Sequence, residues 1–183
     1  LSTGQAKFGD TSLYFNGVND IARIIENNSF RFGTGDFTVE FWYYGTTVVD
    51  APLLDMRERT ITDNNQARVA IFFTNNSGNV GYYVTDSTRI TSNITVATNT
   101  WTHIALVRSS AVTRFYFNGT QDNQTYSDTI DLLNSPLTIN RKYSSSGSSS
   151  VGYYDEIRIS NMARYTSSFT APTKPFPDQG QLE

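Results

Sequence analysis

The sequence predicts an all-β protein, a sandwich of two antiparallel sheets. Three observations carry this: short apolar runs recur along the chain, Gly, Asn, Asp or Ser separates most of them, and no segment sustains a 3.6-residue apolar period. An aromatic content of 14%, with 12 Phe and 11 Tyr, suits pleated strands.

In chain order, strands are predicted over residues 12–15, 21–25, 38–44, 67–73, 81–85, 101–107, 113–117, 137–139 and 153–159, with one short helical turn near 162–165. The run from Trp101 to Arg108 is apolar on both faces, with Trp101, Ala105 and Val107 projecting one way and Ile104 and Leu106 the other. Such a strand needs cover above and below. The following strand alternates Phe115 and Phe117 against Arg114 and Tyr116. It stops at Asn118-Gly119, a dipeptide suited to the positive φ angles of a two-residue hairpin, so a return strand is expected. Tyr14-Phe-Asn-Gly17 echoes Tyr116-Phe-Asn-Gly119, but the flanking residues do not continue the match and no repeat array follows. The segment from Ser144 to Ser150 is low in complexity and reads as a surface loop.

At 183 residues one domain covering 1–183 is expected, and the opening Leu1, in place of Met, predicts a processed product or a module of a longer protein. A net charge of -3 with scattered Lys and Arg offers no continuous basic stripe, which sets aside nucleic acid and anionic membrane as partners. With no cysteine there is neither a disulfide framework nor a thiolate metal site. No apolar run approaches the roughly 18 residues of a membrane span. Charged residues at 17% leave a surface rich in Ser, Thr and Asn.

Four ordered motifs then narrow the fold. Gly33-Thr-Gly-Asp-Phe-Thr-Val-Glu-Phe-Trp42, Trp101-Thr-His-Ile-Ala-Leu-Val-Arg108, Phe115-Tyr-Phe-Asn-Gly119 and Gly152-Tyr-Tyr-Asp-Glu-Ile-Arg-Ile-Ser160 resemble the concanavalin A-like, laminin-G-like superfamily in order and spacing. The tail Ala163-Arg-Tyr-Thr-Ser-Ser-Phe-Thr-Ala-Pro172 is similar to the closing segment of its bacterial and bacteriophage members. The resemblance implies a jelly roll of two curved antiparallel sheets, whose loops or concave face hold sugar or calcium. The lead-in from Leu1 to Asp10 resembles that of modules within long phage structural proteins. It implies a part of a virion, a tail fibre or head appendage attaching to host glycan, with neighbouring virion subunits or copies of itself as further partners. An assembly or decoration role without glycan binding is the first alternative, and a glycoside hydrolase of the concanavalin A-like fold the last.

The glucanases of this superfamily carry a Glu-x-Asp-x-x-Glu strand, which is absent from this chain. Asp155 and Glu156 are adjacent on a predicted strand, so the pleat sends them to opposite faces, where they cannot act as the facing carboxylate pair of a glycosidase. No catalytic residue is expected, and Asp155 is expected to anchor a turn. His103, the only histidine, is expected to be a packed or hydrogen-bonded core residue. Gly33-Thr-Gly35 lacks the spacing of a phosphate-binding loop and reads as a turn.

Sugars are met by aromatic faces and planar polar groups. Candidate contacts are Arg57, Arg59, Tyr82 and Tyr143, with Tyr43, Tyr44 and Tyr83 in the wider set; the competing reading of each strand aromatic is packing. The oxygen-rich loop at Asp63 and Asn64 is the candidate calcium site, by resemblance to laminin-G and pentraxin-like modules. An ordinary Asx turn is the alternative, because the second loop, Asn140-Arg-Lys-Tyr143, brings positive charge.

Overall fold

The computed structural model describes residues 1–18, 20–57, 68–74, 76–141 and 149–177. Among them are twelve strands: β1 (Leu13–Asn16), β2 (Ala22–Asn27), β3 (Phe37–Gly45), β4 (Pro52–Asp55), β5 (Ala70–Thr74), β6 (Asn79–Val84), β7 (Ser87–Thr95), β8 (Thr102–Ser109), β9 (Val112–Phe117), β10 (Thr120–Ser127), β11 (Ser135–Ile139) and β12 (Val151–Ser160). A 3-10 turn at Asn28–Phe30 is the one helical element among the described residues. The strands form two six-stranded antiparallel sheets, ordered β1-β12-β3-β8-β9-β10 and β2-β11-β4-β5-β6-β7, in a jelly-roll sandwich.

The core lies between the sheets. Phe41, Tyr43, Ile104, Leu106, Phe115, Phe117 and Tyr154 of the first sheet meet Leu54, Ile71, Phe73, Val80, Tyr82, Val84, Leu137 and Ile139 of the second. Burying each such side chain stabilises the fold by about 1.5–3 kcal/mol. On β8, Ile104 and Leu106 belong to this core, whereas Ala105 and Val107 join Tyr116 in a second cluster beneath Ala163, Tyr165 and Phe169. The strand is therefore covered on both faces, and the cover on its outer side is the C-terminal segment. Trp101 lies just before β8, half-buried against Tyr44 at a centroid distance of 5.6 Å.

Three two-residue turns have positive φ at both positions: Thr85 and Asp86, Ser110 and Ala111, and Asn118 and Gly119. Each joins neighbouring antiparallel strands, and this left-handed geometry matches their twist. Only Asn118-Gly119 carries the usual residues. A Cβ at Gly119 would lie 1.9 Å from the carbonyl oxygen of Phe169, so glycine lets the C-terminal segment pass directly over the turn.

The expected helical turn near 162–165 does not form. The Thr38 hydroxyl donates to the Met162 carbonyl and accepts the Arg164 amide, which holds this stretch open against the sheet. At the turn preceding β3, the buried Arg108 donates to the carbonyls of Gly33, Gly35 and Ile130, so Gly33-Thr-Gly35 is held by a guanidinium. Within β11, Pro136 lies where β2 bulges: Ser135 pairs with Asn27 and Leu137 with Ile24, leaving Ile25 and Glu26 opposite the proline.

One side of the sandwich is closed by a single carboxylate. Along the β7/β10 side, Asp122 accepts the amides of Asn93 and Ile94 through Oδ2 and that of Gln124 through Oδ1. It clasps the edge strand of one sheet to that of the other.

Candidate functional site

The outer face of the first sheet is largely taken up by the chain termini. Asp155 accepts the amides of Lys7 and Phe8 at 2.8 and 3.2 Å, and Phe8 packs edge-on against Trp42. Glu156 accepts the Phe176 amide, and Phe176 in turn lies against Arg158 and His103. Trp42 and His103 are neighbours on this face, with ring centroids 5.2 Å apart, so both carboxylates hold segments that cover one face. This corrects the expectation that they point apart. The cause is a bulge between Asp155 and Arg158, with Glu156 at a φ of 51°, which breaks the simple alternation.

Under the C-terminal segment, Glu40 is fully buried and accepts hydrogen bonds from Arg158 at 2.8 Å and Tyr165 at 2.9 Å, with His103 Nε2 at 3.1 Å. Burial favours the neutral acid, but the His103 hydrogen bond and the Arg158 charge outweigh it, and the net effect is a pKa below the ordinary 4.5. Burial and the Glu40 charge push the Tyr165 hydroxyl up to about 12. His103 is thus a hydrogen-bonded core residue, and Asp155 an anchor.

The outer face of the second sheet is different. Alternation along β6 turns Tyr82 inward and Tyr83 outward. Tyr82 is fully buried and its hydroxyl donates to Asp128 at 2.8 Å, so it offers no surface to a sugar. Tyr83 is partly exposed, its hydroxyl donates to Asp86, and the guanidinium of Arg57 lies 4.8 Å from its ring centroid. Arg57 is fixed from below: Nε and Nη2 donate to the two oxygens of buried Asp55 at 2.8 and 2.6 Å. Burial lowers the pKa of Arg57, but the hydrogen bond and charge of Asp55 raise it further, to a net rise.

Phe72, on β5, completes the patch. It meets Tyr83 edge-on at 6.2 Å and reaches over Gly81, where a Cβ would lie 2.7 Å from two of its ring atoms. Gly81 therefore lets the ring settle against the sheet. Phe72, Tyr83 and Arg57 together give apolar ring surface beside a planar donor that is already oriented, the combination that recognises a pyranose. Thr88 and Thr91 border them, exposed, opposite Tyr83 and Gly81.

Of the residues singled out from sequence, Arg57 and Tyr83 are brought together. Tyr43 lies in the core, and Tyr44 joins a partly exposed row with Tyr153 and Trp101 on the first sheet. Arg59, Tyr143, Asp63 and Asn64 lie outside the described residues. Among the described residues, no group of three or more His, Cys, Asp or Glu could hold a metal ion. No described helix is long and apolar enough to cross a membrane.

Sequence reasoning missed Phe72. The signal was present, since Ile71 and Phe73 alternate with it and claim the inner face.

Comparison with known structures finds the same fold at low sequence identity. A heptameric SAP-like pentraxin from Limulus polyphemus superposes with a TM-score of 0.53 at 16% identity, over 81% of this chain and 79% of its own. Domain 4 of AbnA, a GH43 extracellular arabinanase from Geobacillus stearothermophilus solved with arabinotriose, gives a TM-score of 0.59 at 16% identity, over 82% and 75%. A Trypanosoma rangeli sialidase solved with sialic acid gives 0.64 at 14% identity over 87% of this chain, which spans only 27% of that enzyme. No curated protein matches the chain. The profile of one family, described as the concanavalin A-like lectin/glucanases superfamily, matches residues 16–167, and the chain belongs to that laminin-G-type family.

Proposed function

We propose that this chain is a non-catalytic carbohydrate-recognition module, an appendage of a virus particle that contacts glycan on the host cell surface. The observation that carries the reading is the patch of Phe72, Tyr83 and Arg57 on the outer face of the second sheet, the face opposite the one that the described terminal segments cover. A sugar ring stacks its apolar face on the aromatic rings while its hydroxyls bond to Arg57, Asp86 and the bordering threonines. The buried carboxylates nearby are committed to structure: Asp55 holds Arg57, Asp122 holds three amides, and Asp128 accepts Tyr82 and Thr113. None of these three is placed to serve as one of two carboxyl groups facing each other across a glycosidic bond.

A glycan array probed with the whole chain, with and without calcium, tests the reading. Binding to at least one cell-surface polysaccharide, lost in Tyr83→Ala, is the expected result. Binding to none, in either condition, overturns it. Calcium dependence that is lost in Asp63→Ala would assign a metal to that loop, and labelling of intact particles would test the placement on a virion.

A further inference from the structure

We infer that the outer face of the first sheet carries a second carbohydrate site, a track for a single chain of an uncharged polysaccharide, separate from the patch of Phe72, Tyr83 and Arg57 on the second sheet. Four aromatic side chains lie side by side along it. Tyr14 pairs with Tyr153 across β1 and β12, and Tyr153 pairs with Tyr44 across β12 and β3. Tyr43 pairs with Thr102, so the next step sets Trp101 beside Tyr44. Ring centroids along the row are 4.7, 5.9 and 5.6 Å apart. The strand neighbours Phe15, Tyr43 and Tyr154 fill the core, whereas none of the four rings belongs to either hydrophobic cluster. All four keep access to solvent, and Tyr14 is 41% exposed. The core does not use these rings, and their faces and hydroxyls are what this part of the surface offers.

The repetition identifies the ligand. One ring per strand gives a row whose period is the strand spacing, about 4.8 Å. A linear ligand that presents an apolar face at each similar step, with hydroxyls between, is a chain of sugar rings. The row is one side chain wide. The N-terminal segment bounds it on one flank, where a Cβ at Gly4 would lie 3.0 Å from the Tyr153 hydroxyl oxygen, and exposed Asn16 and Thr46 border the other. Such a strip suits a chain, not the broad patch of about 1,000 Å² or more that a protein interface needs. No charged side chain belongs to the row, and the nearby Asp155 is engaged by the amides of Lys7 and Phe8, so nothing in it answers a charged sugar. Successive rings are inclined by 38°, 79° and 57°, so the row is no flat platform for a crystalline polysaccharide face and follows one chain that twists.

Affinity electrophoresis of the whole chain in gels cast with soluble neutral polysaccharides, a mixed-linkage β-glucan, a galactomannan and an arabinoxylan, tests this. At least one should retard the protein. Tyr44→Ala and Tyr14→Ala should each weaken that retention about tenfold or more, and Tyr83→Ala, on the other sheet, should leave it within about twofold. Tyr14 is exposed on an edge strand, so its variant keeps the test decisive if Tyr44→Ala fails to fold, and circular dichroism shows which variants are folded. Retention by none of the three would overturn the inference, as would retention unchanged within about twofold in folded Tyr14→Ala. Retention lost in Tyr83→Ala and kept in the row variants would put the polysaccharide on the second sheet, overturning the track while leaving the reading of that patch intact. Retention that Tyr83→Ala leaves unchanged stands for the track even if the patch binds nothing. A dimer in analytical ultracentrifugation that Tyr14→Ala dissolves, with no retention in any gel, would give the row to a second copy and overturn the inference.

Discussion

Glu40 and His103 face each other at 3.1 Å, both fully buried beneath the C-terminal segment of the chain. The single histidine of the protein is thereby part of the scaffold. The carboxylate beside it accepts Arg158 and Tyr165 as well, so one buried anion ties strands β3, β8 and β12 to the segment that covers them.

The pH dependence of stability follows from Glu40. Its folded pKa lies below the ordinary 4.5, so the stability it contributes is fully present above that value and is lost as pH falls through the lower, folded one. Glu40→Gln should cost about 3–5 kcal/mol at neutral pH, because it strands the Arg158 charge. It should also flatten the fall in melting temperature below pH 4.5. Thermal denaturation of both proteins from acid to neutral pH checks this; parallel curves would remove Glu40 from the account.

Gly119→Ala should loosen the C-terminal cover. The residue has a φ of 82°, and a Cβ there meets the backbone of Phe169, which cannot rotate away. A loss of about 3 kcal/mol, or roughly 6–12 °C in melting temperature, is expected. A substitution within about 1 °C of wild type would show that the cover is not seated on this turn.

Asp122→Ala should open the β7/β10 side. Three amides lose their acceptor, at a cost of about 1–3 kcal/mol. The informative readout is local: hydrogen exchange at Asn93 and Ile94 should accelerate more than at core strand β8. Uniform acceleration would mean that the clasp has no special place at this edge.

The central fold was legible because β8 and β9 carry their burial in their own residues. Apolar side chains on both faces of β8 announced two layers of cover, and Asn118-Gly119 announced the hairpin into β10. β4 and β7 are not among the strands the sequence predicts. β4 has four residues and opens on Pro52, while β7 is an edge strand of Ser, Thr and Asn whose deeply buried apolar residue is Ile90. Edge strands bury little, so their composition reads as loop. The Asp155 and Glu156 assignment failed where a bulge broke the period of two, a feature of pairing between strands that one strand's residues do not encode.

The site was legible in part. Arg57 could be singled out by type, but its partner depended on the phase of β6. Val80, Tyr82 and Val84 share the inner face, which leaves Tyr83 outside and exchanges the two adjacent tyrosines in the expected role. Alternation with Ile71 and Phe73 puts Phe72 on the outer face, but only register places it over Gly81.

Gly81→Ala separates binding from stability. Gly81 needs no positive φ, and the new Cβ meets the tip of the Phe72 ring, which can swing away, and a methyl of buried Thr74, which must shift with it. The fold should lose about 1–3 kcal/mol and stay folded, while the displaced ring weakens glycan binding about tenfold. Unchanged binding with a shifted Phe72 would show that the ring is not part of the platform.

The most direct test of the glycan platform is calorimetric titration of the array-selected glycan into wild-type protein and into Phe72→Ala, with melting curves of both in parallel. The account predicts an affinity at least about tenfold lower in the variant, at a melting temperature within a few degrees of wild type. An affinity unchanged within about twofold, in a folded variant, would contradict it.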